Sequence, residues 1–118
     1  MTLARTLVIA AAAAAGFGLL APAAIADDTG MAGIHSWMKV GRKTCFGDHS
    51  HAGNSSGKKS EKAALAAAID DWQGFTAFEY GTDWAYYKHA HAKTKSCSQE
   101  ASGWSCSIDA VPCNPRRR

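Results

Sequence analysis

Beyond its first 26 residues the sequence contains a single leucine, Leu65, and no apolar run long enough to cross a membrane. The 92 residues that follow are about 38% apolar, below the roughly 45–50% of ordinary domains, which excludes a large aliphatic core. Neither sign of charge dominates this portion: 12 basic residues face 10 acidic ones, and three of the basic ones are the terminal Arg116, Arg117 and Arg118. The excess of positive charge is therefore a tail rather than a face, which argues against nucleic acid as a partner. The tail is expected to be a solvated end, with an anionic lipid or wall polymer as the one surface it would touch. No C-x-x-C pair, G-x-S-x-G elbow or Walker spacing occurs, so zinc knuckles, serine hydrolases of that class and nucleotide cradles are not indicated, and no cofactor is implied.

The first 26 residues supply what the rest lacks. Arg5 precedes an apolar run from Leu7 to Leu20, and Ala24-Ile25-Ala26 forms a small-x-small cleavage site before Asp27 and Asp28. This is the pattern of a secretory signal peptide, too short for a membrane anchor. The mature product is expected to be periplasmic or secreted, without a transmembrane anchor.

All four cysteines, Cys45, Cys97, Cys106 and Cys113, fall in the exported portion, where an even count reads as two disulfides. A loop-rich N-terminal segment is expected over residues 27–59, because Gly30 and Gly33 punctuate its start and GDHSHAGNSSG reads as a loop by composition. Within it, Ile34, Ser36, Met38 and Val40 alternate with His35, Trp37 and Lys39, as in a short extended segment. Ser60 is a suitable N-cap for an amphipathic helix, with Leu65, Ile69, Trp72 and Thr76 on one stripe, widened by Ala68, Phe75 and Phe78, and a stop at Gly81. Gly74, inside this helix, implies close approach of another backbone, with a kink as the alternative. Thr82 looks like the cap of a second helix over residues 83–91, with Trp84, Tyr87 and His91 facing inward.

Residues 93–99 and 103–111 alternate around a turn at Ala101 and Ser102, which predicts a β-hairpin and sets Cys97 opposite Cys106. Cys45 would then join Cys113. A pairing of Cys97 with Cys113 and Cys45 with Cys106 stays open if the chain folds back after Pro112. The fold class expected is α+β: two helices packed on a disulfide-pinned β-hairpin over residues 60–113, followed by the basic tail at 114–118. Its core is expected to bury Trp72, Phe75, Trp84 and Trp104.

The series Trp72-Gln73-Gly74-Phe75-Thr76-Ala77-Phe78-Glu79-Tyr80-Gly81, then Cys97, Trp104-Ser105-Cys106 and Ala110-Val111-Pro112-Cys113, resembles a set of small exported bacterial proteins. They share an Ala-rich signal, a W-x-x-F-T-A-x-E-Y-G helix and a C…W-x-C…A-x-P-C end. The resemblance spans residues 60–113 and implies export and a helix-plus-hairpin domain; it implies no activity.

Candidate chemistry is sparse. No Ser or Cys has the sequence context of an activated nucleophile, Asp70 and Asp71 point apart on a helix, and Glu79 with Asp83 reads as a surface pair, so no catalytic residues are assigned. Histidine is the enriched functional type. His49 and His51 lie in the expected loop, and with Asp48 they form the best metal-ligating nucleus, though a weak one because the loop must first be ordered. His89 and His91 would diverge on a helix, and His35 stands apart. Trp37 and Tyr86 are the aromatics most expected to be exposed and able to stack on a ligand. The sequence thus leads to a non-catalytic exported binding or structural protein with an envelope or extracellular partner, or alternatively to a zinc- or copper-sequestering protein acting through His-x-His.

Overall fold

The computed structural model describes residues 30–117. The expected signal peptide lies outside the described residues. The element order is a 3₁₀ turn at Gly30–Ile34, β1 (Trp37–Val40), β2 (Lys43–Phe46), β3 (His51–Lys58), α1 (Glu61–Tyr80), 3₁₀ turns at Thr82–Trp84 and Tyr87–His89, β4 (His91–Glu100), β5 (Gly103–Val111) and β6 (Cys113–Asn114). The strands form two antiparallel three-stranded sheets, ordered β1-β2-β6 and β3-β5-β4. The class is α+β. Among the described residues no helix is long and apolar enough to cross a membrane.

Helix α1 begins where local chemistry places it: the Ser60 hydroxyl accepts from the Ala63 amide at 3.1 Å, and Glu61 sits in the first turn, where a carboxylate suits the helix dipole. Its buried stripe is Ala64, Ala68, Trp72, Thr76 and Tyr80, with Leu65 and Ile69 half-buried beside it. Phe75 and Phe78 are exposed rather than buried, because this fourfold repeat turns the inner face away from them. Trp72 and Trp84 are fully buried, whereas Trp104 is only partly covered.

Among the described residues there is one α-helix, not two. Gly81 ends α1 at φ 94°, its amide donating to the Ala77 carbonyl, and the segment after it is too short to gain helical cooperativity. The backbone at Tyr86 is extended, so the expected second helix becomes two 3₁₀ turns. Aromatic packing holds those turns. Trp84 stacks on Phe46 with centroids 4.4 Å apart, and Tyr87 meets Trp72 edge-on at 5.5 Å.

The described part of the N-terminal segment is likewise mostly strand rather than loop. β1 and β2 form a hairpin through Gly41 and Arg42, with Gly41 at φ 62°, and β3 pairs with β5 along most of its length. The polar residues that make β3 look like a loop bond the helix instead. The Ser55 hydroxyl donates to the Ala64 carbonyl at 2.6 Å and accepts from the Cys106 amide, while the Asn54 amide donates to Asp71 at 2.9 Å. The extended stretch expected over residues 34–40 is shortened to β1, since Gly30–Ile34 turns as a 3₁₀ helix.

Close backbone approach occurs at Gly53, not at Gly74. A methyl group at Gly53 would collide with the Ala68 carbonyl oxygen and lie 2.7 Å from the Trp72 Cβ, whereas one at Gly74 would meet nothing within 4 Å.

The disulfides join Cys45 to Cys113 and Cys97 to Cys106, and among the described residues no cysteine is free. Each links residues directly opposed in an antiparallel ladder, with Cα atoms 4.0 and 4.1 Å apart. On a chain-entropy account, loops of 68 and 9 residues correspond to about 4.4 and 2.6 kcal/mol.

The described part of the basic end contacts the fold, although Arg116 stays mostly exposed. Arg116 lies 3.1 Å from Asp83, and the Arg117 guanidinium sits 3.9 Å over the Trp37 ring. Asp83 is thereby drawn away from the surface pair with Glu79 that its spacing suggested.

The two glycines give opposite expectations. Gly53→Ala should destabilise by about 1–3 kcal/mol through overpacking, and Gly74→Ala should stabilise by about 0.5–1 kcal/mol by removing backbone freedom in open space. Urea unfolding of the two oxidised variants checks both signs.

Candidate metal centre

Three elements converge where the chain leaves the first sheet and enters the second. His49 lies in the connection between β2 and β3, His51 opens β3, and Glu79 sits in the last turn of α1. The ligating atoms of these three side chains all lie within 4.8 Å of one another, and they are the group of this kind found among the described residues. His51 Nε2 is 3.0 Å from Glu79 Oε2, and the His49 and His51 rings meet edge-on with centroids 4.7 Å apart.

The surroundings fix the rings. His51 is only 6% exposed, opposite Ala110 on β5 and packed against Phe75 at 4.9 Å. The Tyr80 hydroxyl lies 2.8 Å from His51 Nε2 and 3.3 Å from His35 Nε2, and it also hydrogen-bonds Glu79. His35 stacks on His49 at 4.7 Å and on its other side approaches Asp48, with Nδ1 3.4 Å from Oδ1.

Asp48 therefore supports the neighbouring histidine, and Glu79 takes the place beside His49 and His51 that the sequence suggested for Asp48. Sequence spacing alone does not bring residue 79 to residue 51. The available signal was that Glu79 precedes Tyr80, the last member of the buried stripe, at the end of the helix facing β3.

Electrostatics favour neutral imidazole at His51. Burial pushes its pKa below the ordinary 6.5, the nearby His49 and His35 push the same way, and Glu79 opposes them without prevailing. Burial pushes the Tyr80 phenol far up, reinforced by its hydrogen bond to Glu79 and by that carboxylate's charge, so Tyr80 stays protonated and acts as a fixed hydrogen-bonding group. At Asp48 partial desolvation raises the pKa, but the Ser36 amide and His35 outweigh it and hold the carboxyl below its usual value.

The arrangement suits a small divalent ion. A tetrahedral ion with bonds of about 2.1 Å holds its ligand atoms about 3.4 Å apart, and two imidazoles with one carboxylate are a set that leaves a fourth position open. His51 and Glu79 already stand near that spacing, so modest side-chain rotation of His49 would complete the set.

The remaining sequence candidates lie elsewhere. Trp37 is 41% exposed, with Arg117 over one face of its ring and its indole nitrogen donating to the Ala32 carbonyl. Tyr86, 43% exposed, borders a concavity with Lys88, His89, Pro115 and Arg116. His89 ends a 3₁₀ turn and His91 begins β4, and neither joins the three-residue cluster.

No protein-family model matches the chain, and no match was found among curated proteins or solved structures.

The depressed His51 pKa ties stability to pH. The unfolded chain takes up the proton near 6.5 and the folded one only lower, so the metal-free protein should lose stability as pH falls from about 6.5 through the folded-state value. Thermal unfolding from pH 7 to pH 5 with chelator present should show this fall, and His51→Gln should flatten it. An equal slope in both proteins would assign the effect to other groups.

Proposed function

We propose that this protein is an exported metal-binding protein that holds one divalent transition ion, zinc foremost, through His49, His51 and Glu79. The convergence of these three ligating atoms within 4.8 Å, from a connection, a strand and a helix, carries the reading. The folded scaffold holds both histidines in place, so the ordering cost expected for a free loop is met by folding rather than by binding. His51, kept neutral by burial, presents an unprotonated nitrogen at physiological pH. Tyr80 hydrogen-bonds Glu79 from outside the set, and its contact with His51 Nε2 is the one an ion would displace. Two disulfides and a signal-like N-terminus support an oxidising, extracytoplasmic location.

The reading is one of holding or sequestering an ion. The four cysteines are tied up as disulfides and the Tyr80 phenol is kept protonated, which leaves neither a thiolate nor a phenolate as a nucleophile.

A second reading rests on the contacts among the same groups. Tyr80, His51, Glu79 and His35 also form a connected hydrogen-bonded network, which would serve as a purely structural joint between the sheets and the helix.

Calorimetry of the oxidised, chelator-treated protein with zinc and with copper near neutral pH separates the two. The expected result is one site whose affinity drops at least about tenfold in Glu79→Gln and in His49→Ala, with Asp48→Asn affected far less. Absence of stoichiometric binding, or binding that depends on Asp48 and not on Glu79, would refute the metal site and leave the structural joint.

A further inference from the structure

One group of cations gathers around the β1–β2 turn and Pro115, while Lys58, Lys59, Lys62 and Lys95 lie near the start of α1. The stretches 37–47, 84–99 and 110–118 contain no acidic residue, and together they carry Lys39, Arg42, Lys43, Lys88, Lys93, Lys95 and the terminal arginines. The fold brings the described parts of the first and last stretches together with the turn at Tyr87–His89, whereas Lys95 lies 3.9 Å from Glu61 at the other end. The Lys43 ammonium donates to the His89 carbonyl at 2.6 Å, which ties the β1–β2 hairpin to the turn before β4. The C-terminal segment is fixed against both: the amides of Arg116 and Arg117 donate to Asn114 Oδ1, and the Arg117 carbonyl accepts from Thr44 at 2.8 Å and Lys39 at 3.3 Å.

Two concavities meet at Pro115. One, of about 470 Å³, is lined by Lys39, Gly41, Arg42 and Pro115; the other, of about 250 Å³, adds Tyr86, Lys88, His89 and Arg116. Lys39, Arg42, Lys43 and Lys88 form no ion pair among the described residues, and the one carboxylate bonded here, Asp83, is neutralised by Arg116. The local field is positive enough that Lys88, Lys43 and Lys93 add to burial in depressing the His89 pKa.

Unpaired like charges held this close repel one another, and folding gains nothing from gathering them unless a counter-charge joins them. Their number and spread favour a ligand with several negative charges over a single carboxylate. A guanidinium paired with ammonium groups suits phosphate oxygens. Tyr86 offers an exposed ring beside the smaller concavity.

We propose that the cleft at Pro115 is a binding site for an anion carrying at least two phosphate groups, with Lys39 and Arg42 gripping one end and Lys88 the other. This site is independent of the metal centre.

The test is titration of the oxidised, metal-free protein with sodium tripolyphosphate at low ionic strength. One stoichiometric site is expected, weakened at least about tenfold when Arg42→Gln and Lys88→Gln are combined, since each removes an exposed cation without a carboxylate partner. Lys59→Gln with Lys62→Gln removes the same charge at the far end of β3 and should leave affinity nearly unchanged. Glu79→Gln should also bind normally, which separates this site from the metal centre. Equal weakening by the two charge-removing pairs would reduce the effect to overall electrostatics and overturn the proposal, as would no measurable binding. A parallel arm with vesicles containing cardiolipin, whose headgroup carries two phosphates, identifies the source. Vesicle binding displaced by tripolyphosphate and lost in the Arg42/Lys88 variant supports a lipid headgroup ligand, and tripolyphosphate binding without vesicle binding supports a soluble one.

Discussion

The distance between α1 and β3 is set by the missing side chain at Gly53, and much of the architecture depends on that contact. With no Cβ there, the Ala68 carbonyl and the Trp72 Cβ press against the strand, and the small Ala64 and Ala68 let the helix lie low over the sheet. That closeness lets Ser55 reach the Ala64 carbonyl and lets the Trp72 indole donate to the Ala110 carbonyl at 3.2 Å. It also delivers the last turn of the helix to the start of β3. A helix held further out would still pack its alanines, but it would carry Glu79 and Tyr80 away from His51.

Alanine, glycine and disulfide bonds thus do here what larger aliphatic side chains do in ordinary domains. The apolar area available is small, so the core divides into two clusters, one of alanines, Trp72 and Ile108 between helix and sheet, the other of Phe46, Tyr80 and Trp84 with Ala32. The second cluster fills the space between the two sheets, where Pro112 carries β5 into β6 and the Phe46 amide bonds the Pro112 carbonyl. Burial of this extent leaves a narrow margin for a domain of this size, and covalent closure of a long loop raises it.

What the sequence disclosed follows from how local each signal was. The long helix was legible because its cap, its acidic first turn and its terminal glycine all lie within the segment they specify. The β4–β5 hairpin was legible for the same reason, its two-residue turn setting Cys97 against Cys106. β3 was not, because a strand made of Gly, Ser and Asn has no propensity of its own and is stabilised by partners far away in the chain. The second helix failed because Trp84 and Tyr87 pack into different clusters, a tertiary demand that a local pattern cannot express. At the candidate site His49 and His51 were visible through their spacing, while Glu79 required knowing which end of the helix faces β3, and Asp48 was drawn off by His35.

Both proposed sites hang from the same covalent link. Asp48 and His49 follow directly from β2, which carries Cys45, and Pro115 to Arg117 follow directly from β6, which carries Cys113. The Cys45–Cys113 bond therefore fixes the metal-ligating connection on one side and the cationic cleft on the other, although the two offer opposite chemistry. The Cys97–Cys106 bond joins β4 to the central strand β5 and packs into the core beneath α1, so it pins the hairpin and the helix-facing side of the second sheet. Two disulfides of similar geometry thus differ in kind: one stabilises a local hairpin and the sheet face under the helix, while the other, closing a loop of 68 residues, holds both candidate sites in register with the rest of the fold.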